Sequence, residues 1–209
     1  MTRSNRVRTT VTALVAALFA AGLAACGGGN GGDGASISQV AQNRGLNSED
    51  VESAVKTYVP GGQKDEYLMF SSGGHSGQVM VFGVPSMRLL KVIGVFTPEP
   101  WQGYGYGAEE TQAILDQGRM NDRQIEWGDT HHPALSETDG NYDGEYLFIN
   151  DKANPRVGVI SLKDLETKQI VTDPIMKSNH GATFVTPDTE YIVEGSQYPA
   201  PLDDSYAPV

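Results

Sequence analysis

The chain has 209 residues, a formal net charge of −11 at pH 7 and one cysteine. So acidic a balance argues against nucleic acid as a partner, because phosphate backbones need a basic surface. The single cysteine excludes an internal disulfide.

The first 25 residues read as an address, not as part of a fold. Arg3, Arg6 and Arg8 make a basic start, and Val11 to Ala25 is an apolar run of 15 residues, too short to span a bilayer comfortably. The run ends in Leu23-Ala24-Ala25-Cys26, which resembles the lipobox of bacterial lipoproteins. There the small residues admit the signal peptidase and the cysteine thiol receives the lipid. An ordinary secretory signal with an incidental Cys26 is the alternative. Gly27 to Gly34 is glycine-rich and favours the lipoprotein, because such a tether is flexible and holds a folded domain off the membrane. Residues 26–45 are then the lipidated cysteine and its tether. The protein is expected to be periplasmic or otherwise extracytoplasmic, touching the membrane only through its lipid. Without residues 1–25, which hold three arginines and no acid, the formal charge goes from −11 to −14. The remaining 184 residues have the length of one domain, yet Leu202 to Val209 gives no sign of closure. Residues 46–209 read as a piece of something longer.

Asn47-Ser48-Glu49-Asp50 has the form of a helix start, with acids in the first turn. Val51, Ala54, Val55 and Tyr58 follow at helical spacing, and Pro60-Gly61-Gly62 stops the helix. Beyond it the pattern is of strands. Glu66-Tyr67-Leu68-Met69-Phe70, Glu145-Tyr146-Leu147-Phe148-Ile149 and Glu190-Tyr191-Ile192-Val193-Glu194 share one form. The second and third tyrosines are 45 residues apart, the period of a propeller blade. The first gap, 79 residues, fits two blades or one blade plus an insertion; the insertion is preferred, at 98–128, which carries a helix-like run from Ala108 to Gln117. Second strands are expected at 78–84 and 156–162, and third strands at 89–95 and 167–172. Acid-bearing turns, 137–144 and 187–189, precede the later tyrosine strands. Short antiparallel strands with a repeat predict an all-β chain of propeller type.

Asp129-Thr130-His131-His132 and Ser178-Asn179-His180-Gly181 lie upstream of the second and third tyrosine strands and hold three of the four histidines. Neighbouring blades project such residues towards a common axis. Imidazole suits copper, zinc, iron and nickel. Adjacent histidines in a regular strand point to opposite faces. His131 and His132 therefore share a site only if the backbone is irregular there, or if the metal cluster is large. Pro133 restricts the backbone of His132 and favours irregularity. Asp129 is placed to accept a hydrogen bond from a ligating imidazole and fix its tautomer. A His-His pair alone is a weak signal, and His180 as a strand-end cap remains the plain reading beside the metal one. His75, in a glycine-rich turn, reads as a loop or channel residue before a ligand.

Other constellations carry less. Gly103-Tyr104-Gly105-Tyr106-Gly107 has no βαβ unit after it, which argues against a dinucleotide site. Trp101, Tyr104 and Tyr106 read first as loop packing and second as a stacking platform. The acids at 139–145 are a calcium candidate, but they do not match an EF-hand loop.

Several stretches resemble the nitrous oxide reductase family. They are Ser72-Gly73-Gly74-His75-Ser76-Gly77-Gln78, Gly83-Val84-Pro85-Ser86-Met87, Phe96 to Gly107, Gly128-Asp129-Thr130-His131-His132-Pro133, Phe148-Ile149-Asn150-Asp151-Lys152-Ala153-Asn154 and Asn179-His180-Gly181. The Trp101 to Gly107 run and a signal without twin arginines resemble its second, atypical clade. The resemblance implies the amino-terminal blades of a seven-bladed β-propeller, with a cupredoxin domain to follow. It implies a tetranuclear copper–sulfide centre in the hub, with His131, His132 and His180 as three of its seven ligands. Asp129 matches an acid beside that centre, and His75 matches no ligand. The implied reaction is denitrification's last step, in which two electrons and two protons reduce nitrous oxide to dinitrogen and water. A c-type cytochrome or cupredoxin is the implied electron donor, and a head-to-tail homodimer the implied assembly. The dinuclear copper site needs two cysteines on the cupredoxin domain, and these residues lack them. A non-catalytic propeller lipoprotein that binds a partner or a single metal ion is the alternative.

Overall fold

The computed structural model describes residues 35–120 and 127–198. The signal segment, Cys26 and most of the tether lie outside the described residues. Among those described, no helix is long and apolar enough to cross a membrane. The chain divides into two compact units, Met1–Glu52 and Ser53–Val209.

The first unit contains α1 (Ile37–Asn43). Ser36 opens it with a capping box, accepting from Gln39 N while the Gln39 side chain accepts from Ser36 N at 2.7 Å, so two orphan donors are satisfied reciprocally. The expected second helix is α2 (Ser48–Thr57), and the division between the units falls within it. Asn47 Oδ1 accepts from Glu49 N at 2.8 Å and Asp50 N at 3.0 Å, which fixes its start.

The second unit is antiparallel β-structure in three sheets. β1 (Tyr67–Ser72), β2 (Gln78–Val84) and β3 (Leu89–Gly94) form a meander. β4 (Thr130–Thr138), β5 (Asn141–Asp151), β6 (Arg156–Ser161) and β7 (Glu166–Thr172) form a second, four-stranded meander, and β8 (Thr183–Val185) pairs with β9 (Ile192–Glu194). The all-β expectation holds. A four-stranded meander is the order found within a propeller blade.

β2 alternates buried and half-buried positions along its length, the period-two signature of a strand with one face in a core. Val79, Val81 and Ile93 from the first sheet meet Leu147, Ile149, Ile160 and Ile170 from the second, with Val95 and Phe96 from the connection. Burying such side chains contributes about 1.5–3 kcal/mol each. Between the sheets, Thr167 Oγ1 donates to Gly94 O at 2.7 Å.

The insertion after β3 carries a 3-10 turn, Pro100–Gln102, and α3 (Glu109–Asp116), close to the helix expected from sequence. Glu99 is buried, and its carboxylate caps Trp101 N and Gln102 N. Gln117, at the end of α3, accepts from Ile170 N at 2.9 Å and so satisfies an edge donor of β7. The aromatic trio separates. Tyr104 is buried, donating to Val95 O at 2.9 Å, whereas Trp101 is 95% exposed and Tyr106 is also exposed.

Three described elements differ from expectation: α1 lies within the span read as tether, and β8 and β4 were not expected as strands. The segment 130–138 is a full strand, β4, hydrogen-bonded to the tyrosine strand β5. Its Thr-His-His-Pro start breaks apolar alternation, and pairing with β5 supplies what local propensity does not.

Candidate metal centre

His131 and His132 sit at a β-bulge. Thr130 pairs with Asp151 and His131 with Asn150, and the register then shifts so that Ala134 pairs with Phe148. One extra residue on β4 takes up the shift. His132 has φ +46°, a left-handed conformation rare for a residue with a Cβ. The irregularity that a shared site requires is therefore present, and it falls directly before Pro133.

Both side chains thereby approach His180, which stands between β7 and β8. Ring centroids are 5.7 Å apart for His131 and His132, 4.7 Å for His131 and His180, and 5.0 Å for His132 and His180. One nitrogen from each lies within 4.8 Å of the others, the sole such grouping of potential ligands among the described residues. His131 Nδ1 and His180 Nε2 are 3.1 Å apart. That spacing is close to that of two nitrogens each about 2.0–2.1 Å from one ion, as in imidazole–zinc bonds. Desolvation, then repulsion from His180 and His131, holds His132 below the ordinary imidazole pKa, which favours the neutral, ligating form.

Neighbouring groups orient the rings. Asp129 is buried, with Oδ1 3.0 Å from His131 Nε2 and Oδ2 3.2 Å from His75 Nδ1. The Oδ1 approach is an ion-pair distance without hydrogen-bond alignment. Gln197 Oε1 lies 3.1 Å from His180 Nδ1, leaving Nε2 to face the other rings. No sequence signal pointed to Gln197, because it lies seventeen positions beyond His180 and only the backbone brings it back. His75 stays outside the three-imidazole group, and its side chain is 94% exposed.

The loop 73–77 seats this corner. Gly74 adopts φ +58°, its carbonyl accepts from Thr130 N at 3.0 Å, and Thr130 Oγ1 donates to Gln78 O at 2.8 Å. The acids of 139–145 do not join a ligand group among the described residues. Asp143 is instead occupied by Ser136, Thr138 Oγ1 and Glu145 N, with the Ser136 hydrogen bond the largest cause of its lowered pKa. An open groove of about 780 Å³, lined by Phe148, Val157, Val159, Val171 and Ile192, reaches Asn179 but none of the three imidazoles.

No family model matches the chain. It is similar to nitrous-oxide reductases: 42% identical over 151 residues to that of Pseudomonas fluorescens, and 41% over 151 residues to that of Stutzerimonas stutzeri. The match covers 72% of this chain in both cases. The enzyme of Ralstonia nicotianae is 38% identical over 122 residues, 57% of this chain and 18% of the relative. The chain spans 23% of the length of the first two relatives. Over 72% of its residues the chain is thus homologous to nitrous-oxide reductase, and it is consistent with a fragment of such a protein.

Proposed function

We propose that this chain is the amino-terminal part of a copper-dependent nitrous oxide reductase, and that His131, His132 and His180 ligate a tetranuclear copper–sulfide centre. The observation that carries the reading is the convergence of three imidazoles within 4.8 Å at a bulge in β4. The donor set fits copper: three imidazoles, with the Asp129 carboxylate beside the outer nitrogen of His131 and Gln197 against that of His180. Copper bound there would supply electrons and a site for the otherwise inert nitrous oxide. The chain's own residues hold that site in shape. Asp129 stands beside His131, Gln197 contacts His180, and the bulge brings His132 towards the other two rings.

The 209 residues contain four histidines and one cysteine, fewer than a seven-histidine centre and a two-cysteine dinuclear centre need. These residues alone are therefore inactive on this reading. In the whole protein, residues 1–25 are a lipoprotein signal, 26–45 a lipidated tether and 46–209 propeller blades. Electrons come from a c-type cytochrome or cupredoxin in the periplasm, and the full protein is a homodimer.

The test is His180→Ala in the full-length protein. We expect loss of nitrous oxide reduction and lowered copper content with the fold kept. Unchanged activity and copper would refute the reading.

A further inference from the structure

We propose that buried Asp151, braced by Arg156, is a positioning residue of the metal centre, its Oδ1 acceptor holding the segment that leads into His131. The inference rests on the copper reading above. Both side chains are fully buried, and Arg156 Nε and Nη2 reach Asp151 Oδ2 at 2.8 and 2.5 Å. Asn154 Nδ2 donates to the same oxygen at 3.0 Å. Arg156 lies 4.6 Å over the Phe96 ring and donates to Gly118 O and Trp127 O.

With Oδ2 occupied in this way, Asp151 turns its other two acceptors to the site. Its Oδ1 accepts from Asp129 N at 2.8 Å and from Ala153 N at 2.9 Å. Its carbonyl accepts from Asn179 N at 3.4 Å. Asp129 is two residues before His131, and its own carboxylate contacts that ring. Asn179 directly precedes His180. One aspartate thus ties the start of β4 and the segment before β8 to a single rigid point. Lys152 N returns a bond to Asp129 O at 2.8 Å, which closes the frame. Gly128 completes the fit, since a Cβ there would come within 2.5 Å of Asp151 Oδ2 and of Arg156 Nη2.

Stability alone is a weak reason for such a pair, because a buried ion pair is often no more stabilising than apolar side chains of similar volume. Its location, where both ligand segments meet, is what assigns it a role. The sequence places Asn150-Asp151-Lys152-Ala153-Asn154 between the two histidine motifs without showing any use for it.

Two double variants of the full chain as its gene encodes it separate positioning from support. D151N/R156M removes both charges and keeps an Oδ1 acceptor for Asp129 N. D151L/R156M removes the acceptor as well. Neither leaves a buried charge unpaired. The probe is copper(II) alone, read by competitive titration and by the number of imidazole nitrogens coupled to copper in pulsed EPR. Circular dichroism and thermal unfolding follow the fold. We expect D151N/R156M to bind copper as the parent does. D151L/R156M should bind at least about tenfold more weakly, the usual size of such outer contacts, with fewer coupled nitrogens and the β-sheet signal retained. Equal behaviour of the two doubles, whether both bind normally or both lose copper with their fold, overturns the proposal. His131→Ala and His180→Ala are measured alongside. Copper affinity and coupled nitrogens unchanged from the parent in both would remove the metal reading itself, whereas a decrease in these that is absent in D151L/R156M would remove only the positioning role.

Discussion

At the scale of single residues, the informative ones are those that a regular strand would not tolerate. His132 at φ +46° is one, and its conformation is the reason two adjacent imidazoles share a side. The buried Asp151–Arg156 pair is another. Taking away one partner alone leaves a desolvated charge, so Asp151→Ala should cost about 3–5 kcal/mol in denaturant unfolding. A cost under about 1 kcal/mol would mean that water reaches the pair. Glu194 carries a pH dependence. Burial pushes its carboxyl up to about 7, against a hydrogen bond from Thr183 Oγ1 at 2.6 Å. The folded state therefore holds a proton that the unfolded state releases at its lower, ordinary pKa. The contribution of Glu194 to stability is greatest below about pH 4.5, falls as pH rises, and levels off above about 7. Glu194→Gln should remove that fall and stabilise the chain at pH 8, by about 1–2 kcal/mol after allowing for its solvent contact. A variant with the same pH profile as the parent would contradict it. The histidines and Asp129 were legible in the sequence as residue types in two motifs. The bulge was legible only as a requirement with Pro133 in support. Gln197 was not legible, because its contact depends on how the chain returns after β9.

At the scale of elements, α2, α3 and strands β1, β2, β3, β6 and β7 follow closely from local pattern, because each carries its own apolar period and its own stop signal. β4 does not. Its exposed His132 and Pro133 interrupt the alternation, and only the hydrogen bonds to β5 define it. β5 extends well beyond its expected core for the same reason, running through the turn acids to Asn141 and on to Asp151. Ile149 is fully buried where the two meanders face each other. Ile149→Ala should therefore cost about 2–5 kcal/mol by loss of contacts and the cavity left behind. Thermal or denaturant unfolding measures this, and a loss under about 1 kcal/mol would show that the sheets do not pack as described. Gly158 sits at the same interface, and a Cβ there would strike the Val95 side chain.

At the scale of the whole molecule, the two meanders and the short β8–β9 pair come in sequence order, with His131 and His132 at the start of the second sheet and His180 in the segment that joins it to the third. The 45-residue spacing of the tyrosine motifs was the sequence's trace of that order. The chain covers 23% of its relatives in Pseudomonas fluorescens and Stutzerimonas stutzeri, so the enzyme's activity is a property of more than these residues. The measurement that tests the central claim most directly is pulsed EPR of copper(II) bound to the full chain, with and without the His131→Ala/His132→Ala/His180→Ala triple change. Nitrogen couplings from these imidazoles are expected in the parent and their loss in the triple variant. Identical couplings in both would contradict that claim.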